Sequence, residues 1–247
     1  MNQRNFEYLK TQLKYTGFGE ALSEQLAANI QKQQAQFTLV HRANYGKDQL
    51  SAALHFSKSL ESDLYFFNNY KAVIQKPEKP QGPAQTFYIG REGANITLKE
   101  AFNLLDGRSV FKDMTTKEGR LYQAWLQLDF KQSLPSGNFK INQFTKNYGF
   151  DLISALQKLP LKEMQVQSDR IRIIESLQKG NRHSVTLLSG QSDQKVFIEA
   201  NPQFKAIILY DSNYVRINQA ASQKESQQTS VSEKQSEQRT QARGISR

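Results

Sequence analysis

Helical segments that stop at a glycine and lead directly into hairpin-forming strands recur along this chain. A capping box at Thr97 opens one such helix and Gly107 ends it. Another helix is predicted to begin at Ser168 or Asp169 and to stop at Gly180. Alternating apolar and polar residues separated by turn residues follow each helix. We therefore predict an α+β fold, with antiparallel sheets and helices on one face.

The recurring order predicts an internal repeat of one helix followed by three strands. It occurs near 20–74, 97–148 and 168–217, and the helix-to-strand junctions at 105–110 and 177–182 line up. The period of roughly 70 residues is longer than that of the short solenoid repeats. A second interpretation stays open, because any hairpin-rich α+β chain can be aligned with itself this loosely.

The chain is predicted to have five parts. Residues 75–85, QKPEKPQGPAQ, hold three of the six prolines and are typical of a linker or long loop, because proline fixes φ and removes a donor. The last thirty residues are rich in Gln and Ser and contain no aromatic residue, so they cannot bury enough apolar surface to fold. The parts are 1–74, two N-terminal helices plus a first α+β unit; 75–96, the Pro-rich linker and a short strand; 97–160, the second unit; 161–217, the third unit; and 218–247, a disordered tail.

The apolar residues at inward positions of these elements predict the core. Trp125 is the only tryptophan and is interpreted as a core anchor. The aromatic run at 64–70 has two interpretations. If the face with Tyr65 and Phe67 is exposed, it can stack nucleic-acid bases; if both faces are covered, it is a central strand, and this interpretation is favoured. The predicted core residues are Leu39, Leu54, Phe56, Phe66, Leu104, Leu105, Trp125, Leu128, Ile173, Leu177, Val185, Phe197, Ile207 and Leu209.

Charge and composition narrow the class of function. The chain carries 33 Lys and Arg against 23 Asp and Glu, a formal net charge of +10, which favours acidic partners and nucleic acid first among them. It has no cysteine, which excludes disulfides, thiolate metal sites and cysteine nucleophiles and favours a reducing compartment. The N-terminal stretch lacks the apolar run of a signal peptide, and no stretch approaches the ~18 apolar residues of a membrane span. We therefore expect a cytoplasmic location and no membrane partner.

The sequence contains no motif that indicates catalysis or a cofactor. GxSxG, GxGxxG and GxxxxGK[S/T] are absent, and the spacing of His41, His55 and His183 fits no common zinc site. Asp151 and Asp211 stand at predicted element ends, where capping accounts for them. We therefore expect no enzymatic activity, no metal and no cofactor, although folding can bring distant residues together into a site.

The candidate nucleic-acid-binding residues lie in the second unit. From residue 108 to residue 146 the sequence has seven basic and three acidic residues, a local excess of +4. Basic side chains contact phosphates, and an aromatic ring can stack on a base. The RRM fingerprint is absent, which weakens the stacking hypothesis. The residues predicted to bind nucleic acid are Arg108, Lys112, Lys117, Arg120, Lys131, Lys140 and Tyr122.

Several strings in the sequence resemble a known protein family. They are YFFNNY (65–70), TTKEG (115–119), WLQLDF (125–130), SLQKGN (176–181) and FIEANPQFK (197–205). They resemble an uncharacterised family of small bacterial accessory proteins from mobile, conjugative-type elements, over residues 1–217. The last string is also similar to a domain of unknown function in longer proteins of such elements, some of them topoisomerase-associated. The resemblance implies a genetic setting near DNA processing and supplies no catalytic residue.

Three hypotheses for function are compatible with these observations. The first is a non-enzymatic accessory protein of a mobile element that binds nucleic acid or a DNA-processing partner. The second is a protein–protein interaction module without nucleic-acid contact, in which hairpin edges pair with a strand of the partner. The third is an enzyme with a site assembled from distant residues, which a deep polar pocket with two carboxylates would indicate. The sequence leaves the oligomeric state open.

Overall fold

The computed structural model describes residues 2–79, 81–90, 95–116, 118–188 and 192–217, which hold five α-helices and eleven β-strands. The predicted tail, 218–247, lies outside these ranges. The helices are α1 (Gln3–Tyr15), α2 (Ser23–Gln31), α3 (Leu98–Leu105), α4 (Leu152–Gln157) and α5 (Gln167–Gln178). The strands are β1 (Gln36–Tyr45), β2 (Asp48–Lys58), β3 (Tyr65–Gln75), β4 (Ala84–Tyr88), β5 (Val110–Thr115), β6 (Leu121–Ser133), β7 (Phe139–Thr145), β8 (His183–Leu187), β9 (Gln194–Asn201), β10 (Ala206–Tyr210) and β11 (Arg216–Ile217).

The strands form three antiparallel sheets in which each strand pairs with its neighbours in the chain. The first sheet has the order β1-β2-β3-β4, the middle sheet β5-β6-β7, and the last sheet β11-β10-β9-β8. A helix precedes each sheet in the chain: α2, α3 and α5 respectively. The predicted α+β class with antiparallel sheets is confirmed, and the order of one helix followed by a meander occurs three times.

Three helices cover one face of the first sheet. Leu9 and Leu13 of α1 and Leu26 of α2 are fully buried, and they pack with inward side chains of β1 to β4 in a first core. Phe18, in the turn after α1, contacts the rings of Phe67 and Tyr70 edge-on, with ring centroids 6.1 and 5.1 Å away. Helices therefore pack on a single side of this sheet, as the sequence predicts.

The middle sheet separates the first core from a second one. Because successive side chains of a strand point to opposite faces, Ala124, Leu126 and Leu128 of β6 belong to the first core, whereas Trp125 belongs to the second. The second core also contains buried residues of α4, α5 and the last sheet. The centre of β6 is thus covered on both faces, and Trp125 is a core anchor, as predicted, with 4% of its surface exposed.

Two residues of the predicted core are not buried in the structure. Phe66 is 39% exposed, because Tyr65 and Phe67 on either side of it point into the first core. Phe197 is half-buried, and its ring packs on Tyr214 with centroids 4.6 Å apart. Phe66 was assigned to the wrong face of β3, since three consecutive aromatic residues do not show which of them point inward.

The Pro-rich segment joins neighbouring strands of one sheet rather than two domains. The Ile74 amide donates to the Pro83 carbonyl at 3.2 Å, and Lys76 and Lys79 exchange backbone hydrogen bonds of 3.2 and 2.9 Å. β4 then pairs with β3, so the predicted short strand completes the first sheet. Pro77 and Pro83 lie in the connection between these two strands, so the described part of this segment is a long loop within one sheet.

The C-terminal end of α5 docks on the C-terminal end of α3. The side-chain amide of Asn103, which is fully buried, donates to the Lys179 carbonyl at 2.5 Å and to Asn181 Oδ1 at 2.9 Å. Gly180 has φ +76°, and a Cβ at this position would lie 2.7 Å from the Ser109 carbonyl oxygen. Only glycine meets both requirements, so this contact fixes how the second and third units sit on one another.

Replacing Gly180 with alanine is expected to lower the free energy of unfolding by about 2–5 kcal/mol, as the sum of the left-handed conformation and of overpacking. Gly107→Ala is the matched control. Gly107 also ends a helix, with φ +86°, but its Cβ would come no closer than 3.8 Å to a Phe130 ring carbon. That variant is expected to lose only about 1–2 kcal/mol. Urea denaturation measures both, and equal losses would contradict the docking role of Gly180.

Candidate nucleic-acid interface

The predicted basic residues do not share one surface. Arg120 precedes the first residue of β6, whereas Lys131 lies near the end of that strand and Lys140 is on β7 beside it. Eleven positions separate Arg120 from Lys131, which is about 36 Å along an extended strand. All three side chains are exposed. Lys117 lies outside the described residues.

Arg108 is an interior residue, and its prediction as a nucleic-acid contact is wrong. It is 6% exposed, its guanidinium pairs with Asp106 at 3.2 Å, and it donates to the Gly180 carbonyl at 3.1 Å. The guanidinium carbon also lies 5.3 Å from the centre of the Phe102 ring. A charged group held in this way lies inside the junction of α3 with α5 and is not accessible to a polymer.

Lys112 and Tyr122 are also engaged within the protein. The Lys112 ammonium donates to the Asn95 carbonyl at 3.0 Å and pairs with Glu100 at 3.2 Å, and its side chain is 15% exposed. The Tyr122 hydroxyl donates to Gln143 Oε1 at 2.9 Å. Each side chain therefore already has a hydrogen-bond partner within the protein.

Lys112 and Tyr122 line a cavity of about 1190 Å³ between the β5–β6 hairpin and the end of α5. Its ionisable lining consists of the carboxylates Glu100, Asp113 and Glu175, the lysines Lys112 and Lys179, and Tyr122. Among the described lining residues, three carboxylates stand against two lysines, which is a negative balance. It therefore disfavours the polyanionic backbone that the sequence-based prediction assigned to this unit.

Lys99, in the first turn of α3, has a strongly lowered pKa. Its ammonium lies 4.2 Å from the centre of the Tyr45 ring and 4.7 Å from that of Phe102. Burial, and secondly the nearby charge of Arg108, lower the pKa of Lys99 from 10.5 to about 8, while Asp106 acts in the opposite direction. The ring faces enclose the ammonium, so this lysine belongs to the packed junction.

The free face of the first sheet is the second candidate surface. Each strand points alternate side chains away from the helices, and Val40 on this side is 54% exposed. We call this surface the open face. Its positions are Gln36, Thr38, Val40, Arg42 and Asn44 of β1; Gln49, Ser51, Ala53, His55 and Ser57 of β2; Phe66, Asn69, Lys71, Val73 and Gln75 of β3; and Ala84, Thr86 and Tyr88 of β4.

The open face carries positive charge without a carboxylate. Arg42 and Lys71 are exposed, and none of the positions that form the face is Asp or Glu. His55 is held by a 3.0 Å hydrogen bond between its Nδ1 and Thr38 Oγ1. The remaining side chains are mostly small or carry amides and hydroxyls. Such a surface attracts an anion and offers hydrogen-bonding groups to it.

A β-bulge shapes one end of the open face. The register between β2 and β3 shifts between His55 and Phe56, which leaves Asn68 as the extra residue. The Asn68 side chain donates to Ser57 Oγ at 2.8 Å, and the backbone carbonyl of Asn68 accepts from the Ile89 amide at 2.9 Å. The bulge thereby holds the ends of β2, β3 and β4 together.

Two cavities flank the bulge and share Asn68 and Asn69 as lining residues. The smaller, of about 420 Å³, lies over β1 and β2. The larger, of about 600 Å³, lies between the end of β4 and α1, and we call it the notch. The residues of the notch are Tyr8, Gln12, Phe66, Phe67, Asn68, Asn69, Tyr88, Ile89 and Gly90.

Comparison with family models, with curated proteins and with solved structures gives no match for this chain. The resemblance to accessory proteins of mobile elements therefore stays a prediction.

Two general properties concern the described residues only. None of their helices combines the length and the apolar character that crossing a membrane requires. Within the same ranges, no three His, Asp or Glu side chains are grouped closely enough to hold a metal ion.

Sequence reasoning missed the open face, although a signal was present. The alternating positions Thr38, Val40, Arg42 and Asn44 contain no acid, and the outward positions of β2 and β3 continue this pattern. Counting charges along consecutive residues hides such a pattern, because a strand divides neighbours between two faces. The aromatic residue exposed on β3 is Phe66, whereas Tyr65 and Phe67 are buried, so the favoured interpretation that both faces of this strand are covered is wrong.

The lowered pKa of Lys99 predicts a stability change at alkaline pH. Between about pH 8 and pH 10.5 the unfolded chain binds a proton at Lys99 that the folded chain does not. The contribution of Lys99 to the free energy of unfolding therefore increases as the pH rises through this range. The Lys99→Met variant has no titrating group at this position and should lack this pH-dependent increase in stability. Urea denaturation of both proteins across this range is expected to show wild-type stability rising relative to the variant. A constant difference would contradict the assignment.

Proposed function

We propose that this chain is a non-enzymatic nucleic-acid-binding protein, and that the open face of the first sheet is its binding surface. The observation that carries the proposal is an uncovered sheet face with Arg42 and Lys71 exposed and no carboxylate among its positions. The formal net charge of +10 acts in the same direction, since it raises the local concentration of a polyanion.

The spacing of the two cations suits a nucleic-acid backbone. Arg42 on β1 faces Ser51 on β2, which in turn faces Val73 on β3, and Lys71 lies two residues from Val73. Two strand spacings and two residue rises place the Arg42 and Lys71 Cα atoms about 12 Å apart. Phosphates on either side of an intervening nucleotide can reach both side chains, and the small residues between them let the chain approach closely.

A protein-interaction module is the second candidate. β1 is an edge strand of ten residues, Gln36–Tyr45, and its sequence contains neither the proline nor the lysine that often protects such edges. A strand of a partner could add to this edge. The open face favours nucleic acid instead, because its positive balance matches a polyanion and requires no particular partner sequence.

A role in the processing of DNA of a mobile element is part of the proposal. Its support is the resemblance of strings such as 197–205 to that family, together with the basic charge of the chain. DNA of such an element, or a protein that processes it, would be the physiological partner.

The double variant Arg42→Glu/Lys71→Glu is expected to weaken binding of a fluorescently labelled 15-nucleotide single strand at low salt. Each lost phosphate contact should reduce affinity by roughly fivefold or more and reduce the salt slope by about 0.7. Fluorescence anisotropy over a salt series measures both quantities.

Lys131→Glu/Lys140→Glu is the matched control, because it changes net charge equally at residues that the sequence predicted to bind. A larger loss in this control, or in Arg120→Glu, would place the interface on the middle sheet. If the wild-type protein binds neither single nor double strands at low salt, the nucleic-acid proposal fails. Loss of a protein partner on deleting exposed β1 side chains would then favour the second candidate.

A further inference from the structure

The notch forms where the N-terminal part of β3 extends beyond the C-terminal end of β4. β4 pairs with β3 from Asn69 to Val73, so Phe66 and Phe67 lie beyond that pairing. Tyr8 and Gln12 of α1 form the other wall, and the Gln12 side chain donates to the Tyr8 hydroxyl at 3.1 Å. The result is a recess that opens at the end of the open face.

Three aromatic side chains of the notch are exposed. Tyr88 is 71% exposed, Tyr8 49% and Phe66 39%. Exposed aromatic groups gathered around one recess are unusual on a protein surface and mark binding sites. Because each ring offers a flat π-face, the recess suits a flat aromatic ligand.

The polar groups of the notch are amides and hydroxyls, and none of the described residues that line it is charged. Gln12, Asn68 and Asn69 supply donors and acceptors beside the rings. An uncharged lining gives a phosphate no counterion, but amides match the edges of a nucleobase. With a volume of about 600 Å³, the notch is within the usual range for sites of small ligands.

The notch lies beside a cation of the open face. Tyr88 faces Asn69, and Lys71 is two residues further along β3 on the same side of the sheet, about 7 Å from Asn69. A base seated in the notch therefore has its phosphate within reach of Lys71. From there the chain can continue across β2 and β1 through the second cavity, which shares Asn68 and Asn69.

From this geometry we propose that the notch is a nucleobase-binding pocket and that the chain binds single-stranded in preference to double-stranded nucleic acid. This inference rests on the proposed function. In a duplex the base faces are stacked on one another, whereas in a single strand they can stack on protein rings. The open face supplies the backbone contacts that both forms share, and the notch adds a contact that only a single strand makes.

The test compares a 15-nucleotide single strand with the duplex of the same sequence by fluorescence anisotropy. The expected result is single-strand affinity at least tenfold above that of the duplex. Tyr88→Leu and Phe66→Leu should each weaken single-strand binding roughly five- to fiftyfold and leave duplex binding and the salt slope unchanged. Tyr15→Leu is the control, since Tyr15 is 77% exposed at the end of α1 and is not part of the notch.

A crosslink provides a second readout that does not depend on stability. Irradiation of a single strand that carries 5-bromouracil should join it to peptides containing Tyr88 or Phe66 in the wild-type protein. Circular dichroism melting of each variant separates lost binding from lost folding, and crosslinking of the wild type remains informative if a variant unfolds.

The failures of the two proposals can be distinguished. Equal affinity for duplex and single strand, or an equal loss in Tyr88→Leu and Tyr15→Leu, overturns the base pocket and leaves the open face as a backbone-binding surface. Absence of binding to either form overturns both proposals. A concentration-dependent dimer in light scattering that Tyr88→Leu abolishes, without nucleic-acid binding, would show that a second copy occupies the notch.

Discussion

The contact between the ends of α3 and α5 holds the two cores of this chain in one arrangement. It is polar and buried: Asn103 and Arg108 donate to backbone carbonyls of residues 179 and 180, which follow α5. Carbonyls at a helix end need such donors, and here a neighbouring helix end supplies them. Because Gly180 leaves no space for a side chain, the two ends approach within contact distance of their backbones. The middle sheet is thereby clamped between α3 and α5, with one face in each core.

This clamp explains why the sheets differ in what they expose. The central residues of β6 fill both cores with alternate side chains, whereas the two ends of β6 and much of β7 remain exposed. In the last sheet, Glu199 and Ile208 face each other on the side away from the second core, and they are 8% and 9% exposed. The first sheet buries one face under three helices, and no described element covers its other face. A binding surface of sheet width is therefore available on this sheet.

Local features of the fold, such as helix ends, were predictable from the sequence. Which side chains point into the core and which point to solvent was not. The capping box at Thr97 and the glycine after α5 act within a few residues, so the pattern alone identifies both helix ends. Arg108 has the same local appearance as an exposed arginine, and only the docking of α5, more than seventy residues later, buries it. Phe66 was misassigned for a related reason, because the inward face of β3 depends on helices distant in sequence. The notch depends on where β4 ends relative to β3, which no local pattern records.

Net charge is a poor guide to an anion-binding surface in this protein. Asp106 neutralises Arg108, and Glu100 neutralises Lys112, so two cations of the most basic stretch are used inside the fold. Arg42 and Lys71 have no carboxylate beside them on the open face, and their field reaches solvent. The uncharged notch adjoins them because strand alternation puts Asn69, Lys71 and Tyr88 on one side of the sheet. A phosphate needs a positive charge, whereas a base needs a flat apolar ring. This surface places the cations of the open face next to the aromatic rings of the notch.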